Sequence, residues 1–168
     1  PSVCNALDTV LVDKQIAAAF LPKLMAGFNQ FEVEIFADET AHAILQKENY
    51  PFLQKATSDN FGMEYLSQKC SVKTVGDFDE AIEHIRQYSS KHSEAIISQN
   101  EKLCERFLNE VDAAAVYTNA STRFTDGGCF GLGAEIGIST QKLHARGPFA
   151  LEKLTTEKWI VRGSGQTR

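Results

Sequence analysis

The 168-residue sequence lacks any apolar run near the ~20 residues that a membrane-spanning helix needs. It also lacks a basic segment followed by an apolar stretch, the mark of a secretory signal peptide. We therefore expect a cytoplasmic protein without a membrane partner. Charge of one sign is nowhere concentrated, since a net charge of −5 is spread over interspersed acids and bases. This argues against a nucleic acid or an anionic membrane surface as the main partner.

The four cysteines lack the spacing of a metal site. They stand at positions 4, 70, 104 and 129, so there is no C-x-x-C pair and no zinc-ribbon pattern. The histidines form no H-E-x-x-H motif. We expect no metal and, without secretory features, free thiols in a reducing compartment.

The glycine-rich run at 126–137 lacks both common nucleotide-binding patterns. It reads DGGCFGLGAEIG, with no G-K-[ST] and no third glycine of the G-x-G-x-x-G fingerprint. We interpret it as a loop that holds its shape through backbone contacts. The alternative is a simple glycine-rich connector.

Short β-rich runs alternate with helical patterns along the chain. The runs that predict strands lie at 9–12, 33–36, 65–75, 95–98 and 113–118. The patterns that predict helices lie at 16–28, 39–48, 78–90 and 101–111, the last three after the caps Asp38, Asp77 and Asn100. This order indicates an α/β fold, a mostly parallel sheet with flanking helices. A last strand at 155–162 is predicted within an extended C-terminal arm.

Cys4 is the candidate nucleophile. It precedes a predicted helical turn at 5–8, so its thiol would lie at a helix N-terminus, where the dipole stabilises a thiolate. The alternative is a small buried hydrophobe, the usual fate of a free cysteine. Cys70 and Cys104 are expected to be structural, and Cys129 to be exposed with no activating neighbour.

The four histidines, His42, His84, His92 and His144, are scattered. The spacing leaves a Cys–His pair open, because catalytic partners need not be adjacent in sequence. His84 lies one turn after Glu80 and is expected on the helix surface.

A polar loop at 119–125 directly follows the apolar strand at 113–118. In open α/β sheets, ligands gather beyond the carboxyl ends of strands. The hydroxyls of Ser121 and Thr122 and the guanidinium of Arg123 suit a carboxylate or phosphate. The alternative is a loop capped by its own side chains.

Four stretches in one order, at 1–12, 59–75, 75–97 and 116–163, resemble γ-glutamyl phosphate reductases, which belong to the aldehyde dehydrogenase superfamily. The resemblance covers nearly the whole chain, and the run at 75–97 carries the family signature. Its positions are Val75, Ala81, Ile82, His84, Ile85, Tyr88, Ser89, Ser90, His92, Ser93, Glu94, Ile96 and Ile97.

The resemblance implies a fold of the aldehyde dehydrogenase catalytic-domain type and an NADPH-dependent reduction of L-glutamyl 5-phosphate to L-glutamate 5-semialdehyde in proline biosynthesis. Cys4 would be the nucleophile and Glu64 would contact the nicotinamide-side ribose of the cofactor. Ser121, Thr122 and Arg123 would anchor the glutamyl carboxylate or phosphate.

The resemblance also implies two segments: a catalytic domain at 1–140, and a bridging and oligomerisation arm with its tail at 141–168. We therefore expect a homo-oligomer. Because the chain begins at Pro1, we expect a processed chain or an excised domain whose N-terminal cofactor-binding partner is missing and which has no turnover alone. The alternatives are a fragment of another aldehyde dehydrogenase and a non-catalytic module of this fold. The sequence leaves open NADPH versus NADH and fusion to a glutamate kinase.

Overall fold

The computed structural model describes residues 1–168 and has an α/β architecture with three sheets. The main sheet is parallel, in the order β1-β4-β2-β3, and contains β1 (Thr9–Asp13), β2 (Glu34–Ala37), β3 (Leu53–Lys55) and β4 (Lys69–Val75). A second parallel pair joins β5 (Ser93–Ile96) to β6 (Ala115–Thr118). An antiparallel pair joins β7 (Ile136–Ile138) to β8 (Gly147–Phe149). The predicted mostly parallel α/β fold is confirmed.

Four helices flank these strands. They are α1 (Lys14–Asn29), α2 (Glu39–Lys47), α3 (Phe78–Tyr88) and α4 (Glu101–Glu110). Short 3-10 turns lie at 58–60, 122–124 and 151–154. No helix is long and apolar enough to cross a membrane.

The main core lies between α1, α2 and the main sheet. Its eleven buried residues are Val12, Ala17, Leu21, Val33, Ile35, Ala37, Ala41, Leu45, Tyr50, Cys70 and Val72. Burial of one Leu or Ile side chain contributes about 1.5–3 kcal/mol. A smaller cluster of Ile82, Phe107 and Val111 joins α3 to α4.

Asp38 connects local and long-range structure. Its Oδ1 accepts the Ala41 N–H at 2.8 Å and begins α2. Its Oδ2 accepts both the N–H and the hydroxyl of Thr74, at 2.8 and 2.7 Å. The predicted caps Asp77 and Asn100 likewise accept N–H groups of α3 and α4.

Two predicted strands differ from the structure by more than two residues. The strand expected from Tyr65 begins only at Lys69, because Leu66 has a φ of 52°, outside the β region. The strand predicted at 155–162 is wrong. Every residue from 151 to 168 is exposed, and no neighbouring strand pairs with this segment.

His84 is buried, so the prediction that it lies on the helix surface is wrong. It is only 5% exposed, and its Nδ1 lies 3.3 Å from Lys73 Nζ. Its ring centroid lies 5.1 Å from that of Phe61 and 4.6 Å from that of Tyr88. Burial and the Lys73 charge lower the pKa of His84 to about 4. The spacing from Glu80 was misleading because Phe61, distant in sequence, covers this face.

The low pKa of His84 predicts a pH dependence of stability. Between about 4 and the usual histidine pKa of about 6.5, the unfolded chain binds the proton and the folded chain does not. This contribution to the free energy of unfolding is therefore present above pH 6.5 and lost as the pH falls towards 4. In urea unfolding between pH 7 and 4, the free energy of unfolding of His84→Gln should fall less steeply with decreasing pH than that of the unmodified chain.

The matched control is His144→Gln, which removes an exposed histidine. Both variants keep Glu94. Burial raises the pKa of Glu94 to about 7, so its contribution to stability changes with pH in the direction opposite to that of His84. The comparison therefore isolates His84. Equal slopes for all three chains would contradict a neutral buried His84.

Candidate active site

Cys4 lies in a tight turn that leads into β1. The Ala6 N–H donates to the Val3 carbonyl at 3.0 Å, and no helix follows. The predicted helix N-terminus at Cys4 is therefore wrong, and a helix dipole does not stabilise a thiolate here. Cys4 is exposed, whereas Cys70 is buried.

Partial burial raises the pKa of the Cys4 thiol, and the charges of Glu135 and Glu64 raise it further. The positive charge of Arg123 and a backbone hydrogen bond oppose this shift. Cys4 is therefore a protonated thiol at neutral pH, accessible but not activated by its electrostatic surroundings alone. By comparison, burial raises the pKa of Cys70 to about 12.

Asn5 fastens this turn to the polar loop at 119–125. Its side chain is buried, and its Nδ2 donates to the Thr125 carbonyl at 2.8 Å. Its Oδ1 accepts a hydrogen bond from Arg123 Nη1. Its backbone carbonyl accepts the Thr122 hydroxyl at 2.8 Å. Sequence reasoning missed Asn5, because nothing in a single sequence marks a turn asparagine as buried.

The three predicted anchors differ in how their side chains are already hydrogen-bonded. The Ser121 hydroxyl accepts the Arg123 N–H at 3.2 Å and caps its own 3-10 turn. The Thr122 hydroxyl is engaged by Asn5. Arg123 is exposed and keeps guanidinium N–H groups beyond the one bonded to Asn5. Arg123 is therefore the anchor with donors available for an anion.

Glu64 and Cys4 line the same small, open cleft on the surface. Asp8, Tyr65 and Ser90 complete part of its wall. Burial raises the pKa of Asp8, and the nearby Glu64 charge adds to that shift. The structure thus brings the predicted cofactor contact and the predicted nucleophile to one cleft.

A chain of hydrogen bonds runs behind Cys4. His92 is 7% exposed, and its Nδ1 lies 2.8 Å from Ser93 Oγ. Ser93 Oγ lies 2.7 Å from Thr125 Oγ1, which lies 2.8 Å from the Tyr117 hydroxyl. Because every member has a partner, this buried network stiffens the junction of β5, β6 and the polar loop.

The glycine-rich run forms a closed loop, as predicted. The Gly127 N–H donates to Glu135 Oε2 at 2.8 Å, and the Leu132 N–H donates to the Gly127 carbonyl at 2.7 Å. A Cβ at Gly127 would lie 2.2 Å from the Ala134 carbonyl oxygen, so only glycine fits. The loop brings Glu135, which the sequence did not indicate, close enough to shift the pKa of Cys4.

Asn5→Ala should destabilise the chain by about 1–3 kcal/mol, because it leaves the buried Thr125 carbonyl without its partner. The effect is measured by urea unfolding, with faster amide hydrogen exchange expected at 122–125. Asn109→Ala is the control, since the Asn109 amide also donates to a carbonyl, Glu105 at 2.7 Å, but on an exposed helix face. Equal effects of both variants would contradict the role given to Asn5.

No protein-family model matches the chain, but individual proteins do. The chain is 56% identical over 168 residues to the γ-glutamyl phosphate reductase of Dehalococcoides mccartyi, covering 100% of this chain and 40% of that relative. It is 58% identical over 172 residues to that of Chlorobium limicola, with the same coverage. The chain thus spans about 40% of the length of these curated relatives.

Solved structures agree. The crystal structure of γ-glutamyl phosphate reductase from Thermotoga maritima matches with a TM-score of 0.88 and 48% identity, over 100% of this chain and 39% of that one. The enzyme of the same name from Saccharomyces cerevisiae matches with a TM-score of 0.57 and 28% identity, over 76% and 32%. An acetylating aldehyde dehydrogenase from Geobacillus thermoglucosidasius, 18% identical with a TM-score of 0.51, shares the fold. Over its whole length the chain is therefore similar to about two fifths of γ-glutamyl phosphate reductases, and it has the aldehyde dehydrogenase fold.

Proposed function

We propose that the chain is the catalytic part of an NADPH-dependent reductase that converts L-glutamyl 5-phosphate to L-glutamate 5-semialdehyde and phosphate, a step of proline biosynthesis. The observation that carries this proposal is the exposed Cys4, in one cleft with Glu64 and fastened through Asn5 to the polar loop at 119–125. The names of the relatives supply the substrate and the type of reaction, a reduction of γ-glutamyl phosphate.

In this proposal the Cys4 sulfur attacks the acyl carbon of L-glutamyl 5-phosphate. Phosphate leaves, and a thioester remains on Cys4, so one difficult step is divided into two. The nicotinamide cofactor, when bound, supplies the hydride that reduces this thioester carbon. Cys4 is then expelled from the thiohemiacetal as the semialdehyde leaves.

The polar loop would hold the substrate. Arg123 has guanidinium donors available and can bind a carboxylate or phosphate with two parallel hydrogen bonds. Ser121 and Thr122 would line the same loop. The Ser121 hydroxyl accepts the Arg123 N–H and keeps its own proton to donate to an anion, whereas the Thr122 hydroxyl would have to turn away from the Asn5 carbonyl to do so. Glu64, exposed in the cleft of Cys4, fits a ribose hydroxyl because an ionised carboxylate accepts hydrogen bonds from hydroxyls.

Replacing Cys4 by Ala in the full-length protein that carries this sequence should lower turnover at least ~1000-fold, because no other group can form the acyl bond. The assay is phosphate-dependent reduction of NADP with glutamate semialdehyde. Cys129→Ala, which removes the other exposed thiol, should keep full activity. The 168-residue chain alone should show none.

Two results would contradict this function. Activity of Cys4→Ala above a tenth of the unmodified level would show that Cys4 is not the nucleophile. Turnover that proceeds equally well without phosphate would point instead to another aldehyde dehydrogenase reaction.

We also propose that 1–140 forms the catalytic domain and that 141–168 forms the bridging and oligomerisation arm. Part of this arm contacts the catalytic domain, since β8 pairs with β7 and Arg146 bonds to Asp112 at 3.0 Å. From 151 onward every residue is exposed, including Trp159 at 90% and Val161 at 88%. An exposed segment that carries the apolar run 159–161 and pairs with no other strand suits a partner strand on a second copy of the chain.

Changing Trp159 and Val161 together to Ser should lower the oligomeric mass of the full-length protein in sedimentation equilibrium. The physical reason is the loss of the apolar side chains that would be buried between copies. Phe31→Ser is the matched control, since Phe31 is also a large exposed apolar residue, at 63%, but lies outside the arm. An unchanged mass for the double variant would refute the oligomerisation role.

A further inference from the structure

Gly137, in β7, faces both Cys4 and His92. A methyl group added at Gly137 would lie 3.3 Å from His92 Nε2 and 3.8 Å from Cys4 Sγ. The two reactive atoms therefore border the same gap, which the missing side chain keeps clear. Gly137 has no positive φ, so this position calls for glycine because of space and not because of backbone conformation.

The two groups have complementary protonation states at neutral pH. Partial burial, Glu135 and Glu64 raise the pKa of the Cys4 thiol, so the sulfur holds its proton. Burial lowers the pKa of His92, although Glu135 and Glu64 act in the opposite direction, so the imidazole is neutral. A protonated thiol thus lies near an imidazole able to accept a proton.

The hydroxyl network accommodates the His92 tautomer that leaves Nε2 free to accept that proton. Each hydroxyl has one proton, so the hydrogen bonds of the chain can all point the same way, from His92 Nδ1 to Ser93, to Thr125 and to Tyr117. In this arrangement Nδ1 carries the hydrogen, and the Nε2 lone pair points towards the gap at Gly137. The same hydrogen bond remains when the ring becomes an imidazolium.

We propose that His92 is the general base for Cys4 and takes the thiol proton through one bridging water as the sulfur attacks. This step rests on the proposed function. The proton moves from Sγ to Nε2, the S–C bond forms, and the acyl C–O bond breaks with its electron pair leaving on phosphate. When Cys4 is later expelled, His92 returns the proton to sulfur.

The surrounding charges fit this direction of transfer. Glu135 and Glu64 favour the imidazolium that forms on His92, and Arg123 favours the thiolate that forms on Cys4. A water is needed because no direct hydrogen bond joins the two side chains; the nearest partner of His92 is Ser93. General acid–base catalysis of this kind typically contributes about 10²–10⁴-fold to a rate.

The test is the pH profile of Cys4 alkylation by iodoacetamide in the full-length protein carrying this sequence, with peptide mass mapping to separate Cys4 from the other thiols. His92→Asn keeps an amide near the Nδ1 position for Ser93 but removes Nε2. Its Cys4 rate should fall at least about tenfold at pH 7 and converge with the unmodified protein above pH 10, where the thiol ionises without a base.

Gly137→Ala provides a second variant with both reactive groups intact. Its methyl enters the gap, so it should reduce the Cys4 rate at pH 7 more than at pH 10. His144→Asn, which removes an exposed histidine bonded only to the Lys153 carbonyl, should match the unmodified protein. A purely structural role of His92 would instead lower the rate by the same factor at every pH.

Superimposable or parallel profiles for His92→Asn and Gly137→Ala overturn the proposal. The outcome is distinguishable from failure of the proposed function. If Cys4→Ala stays active, the function is wrong; if Cys4→Ala is inactive while the profiles are parallel, only the base assignment is wrong.

Discussion

The arrangement of the site depends on the buried amide of Asn5. This one side chain donates to the Thr125 carbonyl and accepts from Arg123, while its backbone carbonyl accepts from Thr122. A buried amide without partners costs about 1–3 kcal/mol, so the Cys4 turn and the polar loop gain stability only together. The position of the Cys4 turn is therefore set by hydrogen bonds to residues more than a hundred positions away, and not by a helix.

The electrostatics of the cleft follow from this position. Without a helix N-terminus, Cys4 faces Glu135 and Glu64, and both carboxylates disfavour the thiolate. A resting thiol is less nucleophilic than a thiolate, but it also oxidises more slowly. The proposed mechanism therefore needs the sulfur to ionise only as the substrate is attacked, with the neutral imidazole beside the cleft as the proton acceptor.

The elements that depended on local chemistry were predictable from sequence. Asp38, Asp77 and Asn100 each cap the helix assigned to them, because a cap acts within three residues of itself. The predictions failed where the local structure depends on contacts with residues distant in sequence. A four-residue segment after Cys4 could not reveal a turn, since isolated helical turns are marginal. The strand at 155–162 needed a partner that the chain does not supply.

In the candidate site, too, some residues were predictable from the sequence and others were not. The family resemblance indicated Cys4, Glu64 and the loop at 119–125, and the structure brings them together. Asn5 and Glu135 could not be identified from the sequence, because their importance lies in contacts that sequence spacing does not encode. Asn5 meets Thr125 across 120 positions of the chain.

The glycine-rich run shows why a motif can be uninformative and still matter. It matches no nucleotide-binding pattern, yet two of its positions require glycine, each for a different physical reason. Gly127 allows the backbone to pass the Ala134 carbonyl and so positions Glu135. Gly137 leaves open the gap between His92 and Cys4. The end of the run therefore borders the cysteine site, because Gly127 is required by close backbone approach and Gly137 by the space between two side chains.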